Sequence, residues 1–183
     1  MFVQHQQFIE QLPSMDALVT CSGSGGTHAG MAAAMYALRS PTKVIGISTR
    51  HPQEHQTANI YALAQKTLDY VLGDEQKMEL PMDTVVVNDA YVGDGYSLPT
   101  DAMVEAVTLF ARTEGVLLDP VYTGKAAAGM IDLVRSGFFP SGSNVLFLHT
   151  GGAPSLYHYQ PINAAVPGVA GAGSGTTTHL IEE

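Results

Sequence analysis

Short apolar runs alternate along the chain with longer stretches whose apolar residues recur every three or four positions. This is the pattern of buried parallel strands joined by crossover helices. Residues 2–12 place Phe2, Phe8, Ile9 and Leu12 on a broken helical face that Pro13 ends. Ala17, Leu18 and Val19 make a strand, and Ala29 to Leu38 a helix of Ala and Met stopped by Arg39, Ser40 and Pro41. Lys43 to Thr49, KVIGIST, reads as a central strand, and Gln53 to Leu72 as a long helix through Ile60, Leu63, Ala64, Leu68 and Val71. Thr84 to Asn88 gives another strand. A helix then begins at Pro99, runs through Met103, Val104, Val107 and Phe110 to Arg112, and is closed by Gly115. Val116 to Leu118 forms a strand, Thr123 to Arg135 a helix, and Asn144 to His149 the last strand. Strand and helix in alternation predict an α/β fold of three layers around a mostly parallel sheet. From Pro161 onward the chain is rich in Gly, Ala and Thr without a period, and reads as a flexible tail.

The stretch between the first strand and the Ala-rich helix is the densest in small residues. Gly23, Ser24, Gly25, Gly26 and Thr27 let a bound group approach the backbone, and the following helix start offers unpaired N–H groups to an anion such as phosphate. The hydroxyls of Ser22, Ser24 and Thr27 add donors. A tight strand-to-helix turn uses the same residues, so spacing alone leaves both readings open. Among phosphate sites, a Walker A loop is excluded because no Lys stands between Gly23 and Gly30. A dinucleotide fingerprint fits Gly23 and Gly25, but reaches Gly26 and Gly30 only by a slipped register. The following strand ends in Thr49 and Arg50 rather than an acid. A cup for the phosphate of pyridoxal phosphate is the third reading.

Three further segments fall at the carboxyl ends of expected strands: the Tyr91 to Tyr96 loop, Asp119 to Lys125, and His149 to Ser155. In a doubly wound sheet such ends face one cleft, so the four segments can share a ligand. Tyr122 can stack on an aromatic ring or move a proton, or simply cap the core edge. Thr150 offers a hydroxyl, or serves only as a turn residue beside Gly151 and Gly152. Lys125, in a helix's first turn, reads as a surface lysine with its stem lying on the protein. His28, His51, His55 and His149 share no metal-ligand spacing.

Composition narrows the function classes. A net charge of -9 leaves few cations to neutralise nucleic acid or an anionic membrane. The single cysteine, Cys21, cannot close an internal disulfide and reads as a strand-end thiol. No stretch resembles a membrane span or a leader, which makes the cytoplasm the expected location.

Taken in order, TCSGSGGTHAGM, DAYVGDGYSLPTDAMVEAV and ARTEGVLLDPVYTGKAAAGMIDLVRSGFFPSGSNVLFLHTGGAPSLY resemble the C-terminal half of the D-cysteine desulfhydrase and 1-aminocyclopropane-1-carboxylate deaminase family. These are pyridoxal-phosphate enzymes of the tryptophan-synthase β-like fold, and the likeness covers roughly residues 16 to 159. It implies that residues 1–160 form part of a pyridoxal-phosphate-binding large domain, equivalent to its second half, with 161–183 as the tail. It implies that Gly23, Ser24, Gly25, Gly26 and Thr27 cup the phosphate, that Tyr96 and Tyr122 are active-site tyrosines, and that Thr150 stands beside the pyridine nitrogen. A neutral hydroxyl there leaves the nitrogen unprotonated and limits the ring as an electron sink. The deaminase branch carries Glu after the second tyrosine and Leu before the paired glycines. Thr123 and Thr150 therefore favour the desulfhydrase branch, which takes D-cysteine to pyruvate, hydrogen sulfide and ammonia.

In the family the Schiff-base lysine and a nucleophilic serine lie in the N-terminal half. Lys43, Lys66, Lys77 and Lys125 do not occupy that place, so the expectation is a truncated chain that lacks the chemistry alone and needs its missing N-terminal half or an oligomeric partner. A deaminase, a noncatalytic remnant that binds a phosphate-bearing ligand, and a nucleotide-binding Rossmann module are the alternatives.

Overall fold

The computed structural model describes residues 15–73 and 76–159. The helix expected over residues 2–12 and the tail from Pro161 lie outside the described residues.

Four strands, β1 (Ala17–Ser22), β2 (Lys43–Ser48), β3 (Val86–Asn88) and β4 (Val145–Phe147), form one sheet in the order β3-β2-β1-β4. Every pairing is parallel: Ala17 stands opposite Lys43 and Val145, and Ile45 opposite Val86. Helices α1 (Gly26–Ala37) and α2 (Gln53–Leu72) pack together against one face, and α3 (Asp101–Thr113) and α4 (Thr123–Arg135) against the other. The expected three-layer α/β architecture is therefore the one observed.

Strand alternation sorts the core into its two faces. Leu18 and Val44 meet Met31 and Met35 of α1, while Ala17, Val19, Ile45 and Ile47 meet Ala126 of α4. With both faces covered, the central strands carry almost no exposed residue, which explains their continuous apolar runs. On α2 the buried residues are Gln56, Ile60, Ala64 and Leu68, a stripe at intervals of four that faces α1 and β3. Small residues let α4 lie close to its neighbours. A Cβ at Gly129 would stand 2.8 Å from Ile47 Cδ1, and one at Gly124 would stand 2.6 Å from the Asp119 carbonyl.

The strands expected over Thr84 to Asn88 and Asn144 to His149 are shorter, Val86–Asn88 and Val145–Phe147, and three further differences from the sequence reading bear on the site. Residues 116–118 are not a strand: Val116 and Leu117 are exposed and only Leu118 is buried, so the three apolar residues form a connection that drops one side chain into the α3–α4 core. The Ala-rich helix starts at Gly26 rather than Ala29, so Gly26 and Thr27 belong to its first turn. The third helix starts at Asp101, because Thr100 caps it by accepting from Met103 N at 3.2 Å; Pro99 lies before the cap. No helix among the described residues is long and apolar enough to cross a membrane.

Candidate active site

The sheet changes direction at β1, with β2 and β3 on one side and β4 on the other. The crevice at a parallel sheet's switch point therefore opens beyond the carboxyl ends of β1 and β4. The four segments meet there. Cys21 Sγ and Thr150 Oγ1 are 3.1 Å apart across the two strand ends. A Cβ on Gly23 would stand 3.0 Å from Tyr122 Cε1, so only glycine allows the loop and the tyrosine ring to lie this close. The hydroxyls of Tyr122 and Tyr96 are hydrogen-bonded, their rings edge to face with centroids 6.0 Å apart. The Arg50 guanidinium lies 5.4 Å from the centroid of the Tyr96 ring.

These residues enclose a cavity of about 100 Å³, lined by Gly23, Ser24, Gly25, Gly26, Thr27, Tyr122, Thr150 and Cys21. All the binding and catalytic candidates except Tyr96 line it, and Tyr96 is one hydrogen bond away. Gly25, at φ +93°, turns the chain from strand into helix, and no side chain caps α1. The first α1 amide to close a helical bond is Ala29 N, 2.8 Å from Gly25 O, which leaves the amides before it to an outside acceptor. Thr49 Oγ1, fully buried and without a hydrogen-bond partner among the described residues, sits 3.3 Å from where a Gly23 Cβ would be. A small anionic group fits this cradle in size and in donor chemistry, as the phosphate end of pyridoxal phosphate requires.

Ser22, expected to offer its hydroxyl to the anion, does not. It is fully buried, with Oγ 2.9 Å from Gln56 Nε2 and 3.1 Å from His28 Nδ1. Gln56 Nε2 also reaches the carbonyls of Ser22 and Gly23, at 3.2 and 2.9 Å. One buried amide from α2 thus fixes the start of the glycine loop from behind. Gln56 is the N-terminal member of the 56-60-64-68 stripe, and a polar residue on a buried period was the signal for it.

Burial pushes the His28 imidazole down to about 4, against a smaller opposing pull from the Val44 carbonyl. The unfolded chain, with an ordinary histidine, takes up a proton that the folded chain refuses. His28 therefore supports folding fully above pH 6.5, and that support declines as pH falls through the interval down to about 4, by an amount on the order of 3 kcal/mol. Urea midpoints measured between pH 7 and about 4.5 are expected to fall more steeply for the parent than for His28→Gln. Equal slopes would exclude this burial.

Asp119 organises the Tyr122 side. Its carboxylate accepts from Val121 N, Tyr122 N, Thr123 N and Thr123 Oγ1 at 2.6–2.9 Å, which caps α4 and sets the direction of Tyr122. Thr123 is fully buried in that cap, so its hydroxyl faces Asp119 and not the cavity. The hydrogen bond with Tyr96, with burial as a lesser cause, raises Tyr122 to about 12 and keeps it protonated. Lys125 is the clearest departure from the sequence reading. It is fully buried, and its Nζ donates to Val92 O at 2.6 Å and to Gly95 O at 2.9 Å. Burial lowers its pKa.

Comparison with known proteins bears on this geometry. Residues 5–151 match the family described as pyridoxal-phosphate dependent enzyme. The chain is 44% identical over 144 residues to a 1-aminocyclopropane-1-carboxylate deaminase of Pseudomonas syringae pv. syringae, covering 79% of this chain and 42% of the relative. It is 39% identical over 155 residues to a D-cysteine desulfhydrase of Salmonella typhi, covering 85% and 45%. Among solved structures, an ACC deaminase homologue superposes with a TM-score of 0.72 at 31% identity, over 87% of this chain and 47% of that one. The chain thus spans less than half the length of these relatives, and the two enzyme names stand at similar identity.

Proposed function

The chain belongs to the family of pyridoxal-phosphate-dependent enzymes, and on that premise we propose that it contributes the phosphate cup and ring contacts of a lyase acting on a small amino acid. The observation that carries this reading is the meeting of Gly23–Thr27, Tyr122 and Thr150 on one cavity of phosphate size at the sheet's switch point.

In this reading the free amides at the start of α1, with the hydroxyls of Ser24 and Thr27, bind the phosphate and hold it by charge-assisted hydrogen bonds. Thr150 would present a neutral hydroxyl to the ring nitrogen, with Cys21 Sγ 3.1 Å from that hydroxyl. Tyr122, protonated and hydrogen-bonded to Tyr96, presents its hydroxyl at the cavity wall as a hydrogen-bond partner for a bound group. When bound, the cofactor supplies an electron-accepting ring that stabilises negative charge at the substrate's α-carbon. Among the described residues the cavity lining contains no lysine, and Lys125 Nζ is engaged with two carbonyls. The share of the site assigned to this chain is therefore binding and orientation.

For the whole protein we favour D-cysteine as substrate, with pyruvate, hydrogen sulfide and ammonia as products. Support for this rests on Thr150 in the cavity wall; Thr123, locked under Asp119, contributes nothing to the choice. Deamination of 1-aminocyclopropane-1-carboxylate is the second reading, favoured by the equal similarity to a deaminase. Sulfide released from D-cysteine, compared with ammonia released from 1-aminocyclopropane-1-carboxylate by the whole protein, decides between them. Ammonia from the second substrate without sulfide from the first would reverse the order.

Binding by this chain is tested first. Pyridoxal 5′-phosphate is expected to quench its tyrosine fluorescence saturably and to be displaced by inorganic phosphate, with unphosphorylated pyridoxal at least tenfold weaker. Equal affinity for the two pyridoxal forms would remove the phosphate cup. Gly25→Ala is expected to weaken pyridoxal 5′-phosphate by about tenfold or more, since φ +93° disfavours any Cβ and the added carbon would stand 2.5 Å from Ile60 Cδ1.

A further inference from the structure

The loop that carries Tyr96 has little hydrogen bonding of its own. Between Asp89 and Leu98 the backbone closes two turns, Val92 N to Asp89 O at 3.2 Å and Leu98 N to Gly95 O at 3.3 Å. Gly93 at φ +67° and Ser97 at φ +61° both stand in the left-handed region, and for a serine that conformation has to be imposed from outside. The restraint comes from side chains of other segments that reach the loop's carbonyls. Lys125 Nζ takes Val92 O and Gly95 O, and Tyr159 Oη takes Ser97 O at 2.5 Å. Lys125 is fully buried although its partners are neutral carbonyls, and a desolvated ammonium persists only where its hydrogen bonds are well met. Gly95 directly precedes Tyr96, whose hydroxyl bonds Tyr122.

We propose that Lys125 is a positioning residue: from the first turn of α4 its ammonium gathers the carbonyls of Val92 and Gly95 and thereby sets Tyr96 against Tyr122. One charged group on the helix that follows Tyr122 thus ties the Tyr96 loop to the segment that carries Tyr122. The functional weight of this tie rests on the reading that the tyrosine pair serves the cofactor site, but the tie itself does not.

Photo-oxidative coupling of the full chain, followed by peptide mapping of the Tyr96–Tyr122 dityrosine, tests it without cofactor. The parent is expected to give this product. Lys125→Met is expected to reduce its yield at least fivefold. Leu68→Ala, a core truncation on the opposite face of the sheet that also lowers the melting temperature, is expected to keep the yield within twofold. Should Lys125→Met not fold, Lys125→Gln, a shorter neutral side chain, is held to the same fivefold loss. A yield within twofold of the parent in either folded variant overturns the assignment, as does an equal loss in Leu68→Ala. Pyridoxal 5′-phosphate binding, measured on the same parent preparation, is a separate readout. A parent that couples Tyr96 to Tyr122 but binds no cofactor sinks the functional reading and leaves Lys125 in place.

Discussion

Gly46→Ala is expected to destabilise the protein by more than about 3 kcal/mol, at or beyond the upper end for overpacking, and to lower its melting temperature by roughly 10 °C. The position lies mid-strand in β2, opposite Thr20 of β1 and Val87 of β3, where alanine itself is comfortable. The obstacle is His28. An alanine Cβ would stand 2.1 Å from its Nδ1 and 2.3 Å from its Cε1, inside any tolerable contact. The ring cannot retreat, because it is fully buried and pinned by Ser22. Either the strand shifts and breaks its pairings on both sides, or the imidazole is driven out. His28→Ala removes the obstacle, so the double variant is expected to be more stable than Gly46→Ala alone, with a coupling on the order of 2–3 kcal/mol between the two sites. Denaturant midpoints for the four proteins of this cycle provide the check. Additive effects would show that His28 does not fill the space above Gly46.

Periodic residues made the layers legible in the sequence. The Ile60, Ala64, Leu68 stripe located α2 at its observed ends, and KVIGIST and ALV located the two buried central strands, the first one residue too long and the second three residues too short. Val116 to Leu118 carried a similar apolar signal and failed, because three apolar residues suffice for a connection of which only the last, Leu118, enters the core. The cup was legible as a chemical possibility because glycine and hydroxyl residues cluster between strand and helix. Its supports were not. Gln56 and Lys125 act across 33 and 30 or 33 positions, and although Gln56's place on the buried period of α2 hints at burial, nothing local says which distant groups either side chain meets. Lys125 shows the difficulty best: in the first turn of a helix, the same residue type reads as solvated or as a clamp depending only on whether a distant loop returns over it. Ser22 erred in the other direction, its hydroxyl being turned inward by His28 and Gln56 rather than outward to a ligand.

Asp119→Ala is the other large loss expected, about 3–5 kcal/mol, and it should damage binding as well as stability. The carboxylate is almost wholly buried and receives four donors, three of them backbone amides of the turn that opens α4. Alanine leaves all four without an acceptor in a place that water cannot readily fill, and each deserted buried group costs about 1–3 kcal/mol before relaxation. The same side chain packs against the segment that follows β4, since its Cβ and Cγ lie 2.8 Å from where a Gly152 Cβ would stand. Removing it therefore loosens Tyr122 on one side and the Thr150–Gly152 turn on the other, the two walls of the cavity that the glycine loop does not supply. Asp119→Asn separates the effects. It keeps the shape and one acceptor oxygen but turns an NH2 toward the remaining donors, so the protein should fold with roughly half the loss of the alanine variant. Pyridoxal 5′-phosphate affinity in the folded Asp119→Asn chain should still fall at least fivefold, because Tyr122 and Thr150 no longer hold their places. Thermal melts and fluorescence titrations of both variants measure this. Parent-like cofactor affinity in Asp119→Asn would mean that the Tyr122 turn is held by the helix alone, and a parent-like melt for Asp119→Ala would mean that the carboxylate caps nothing.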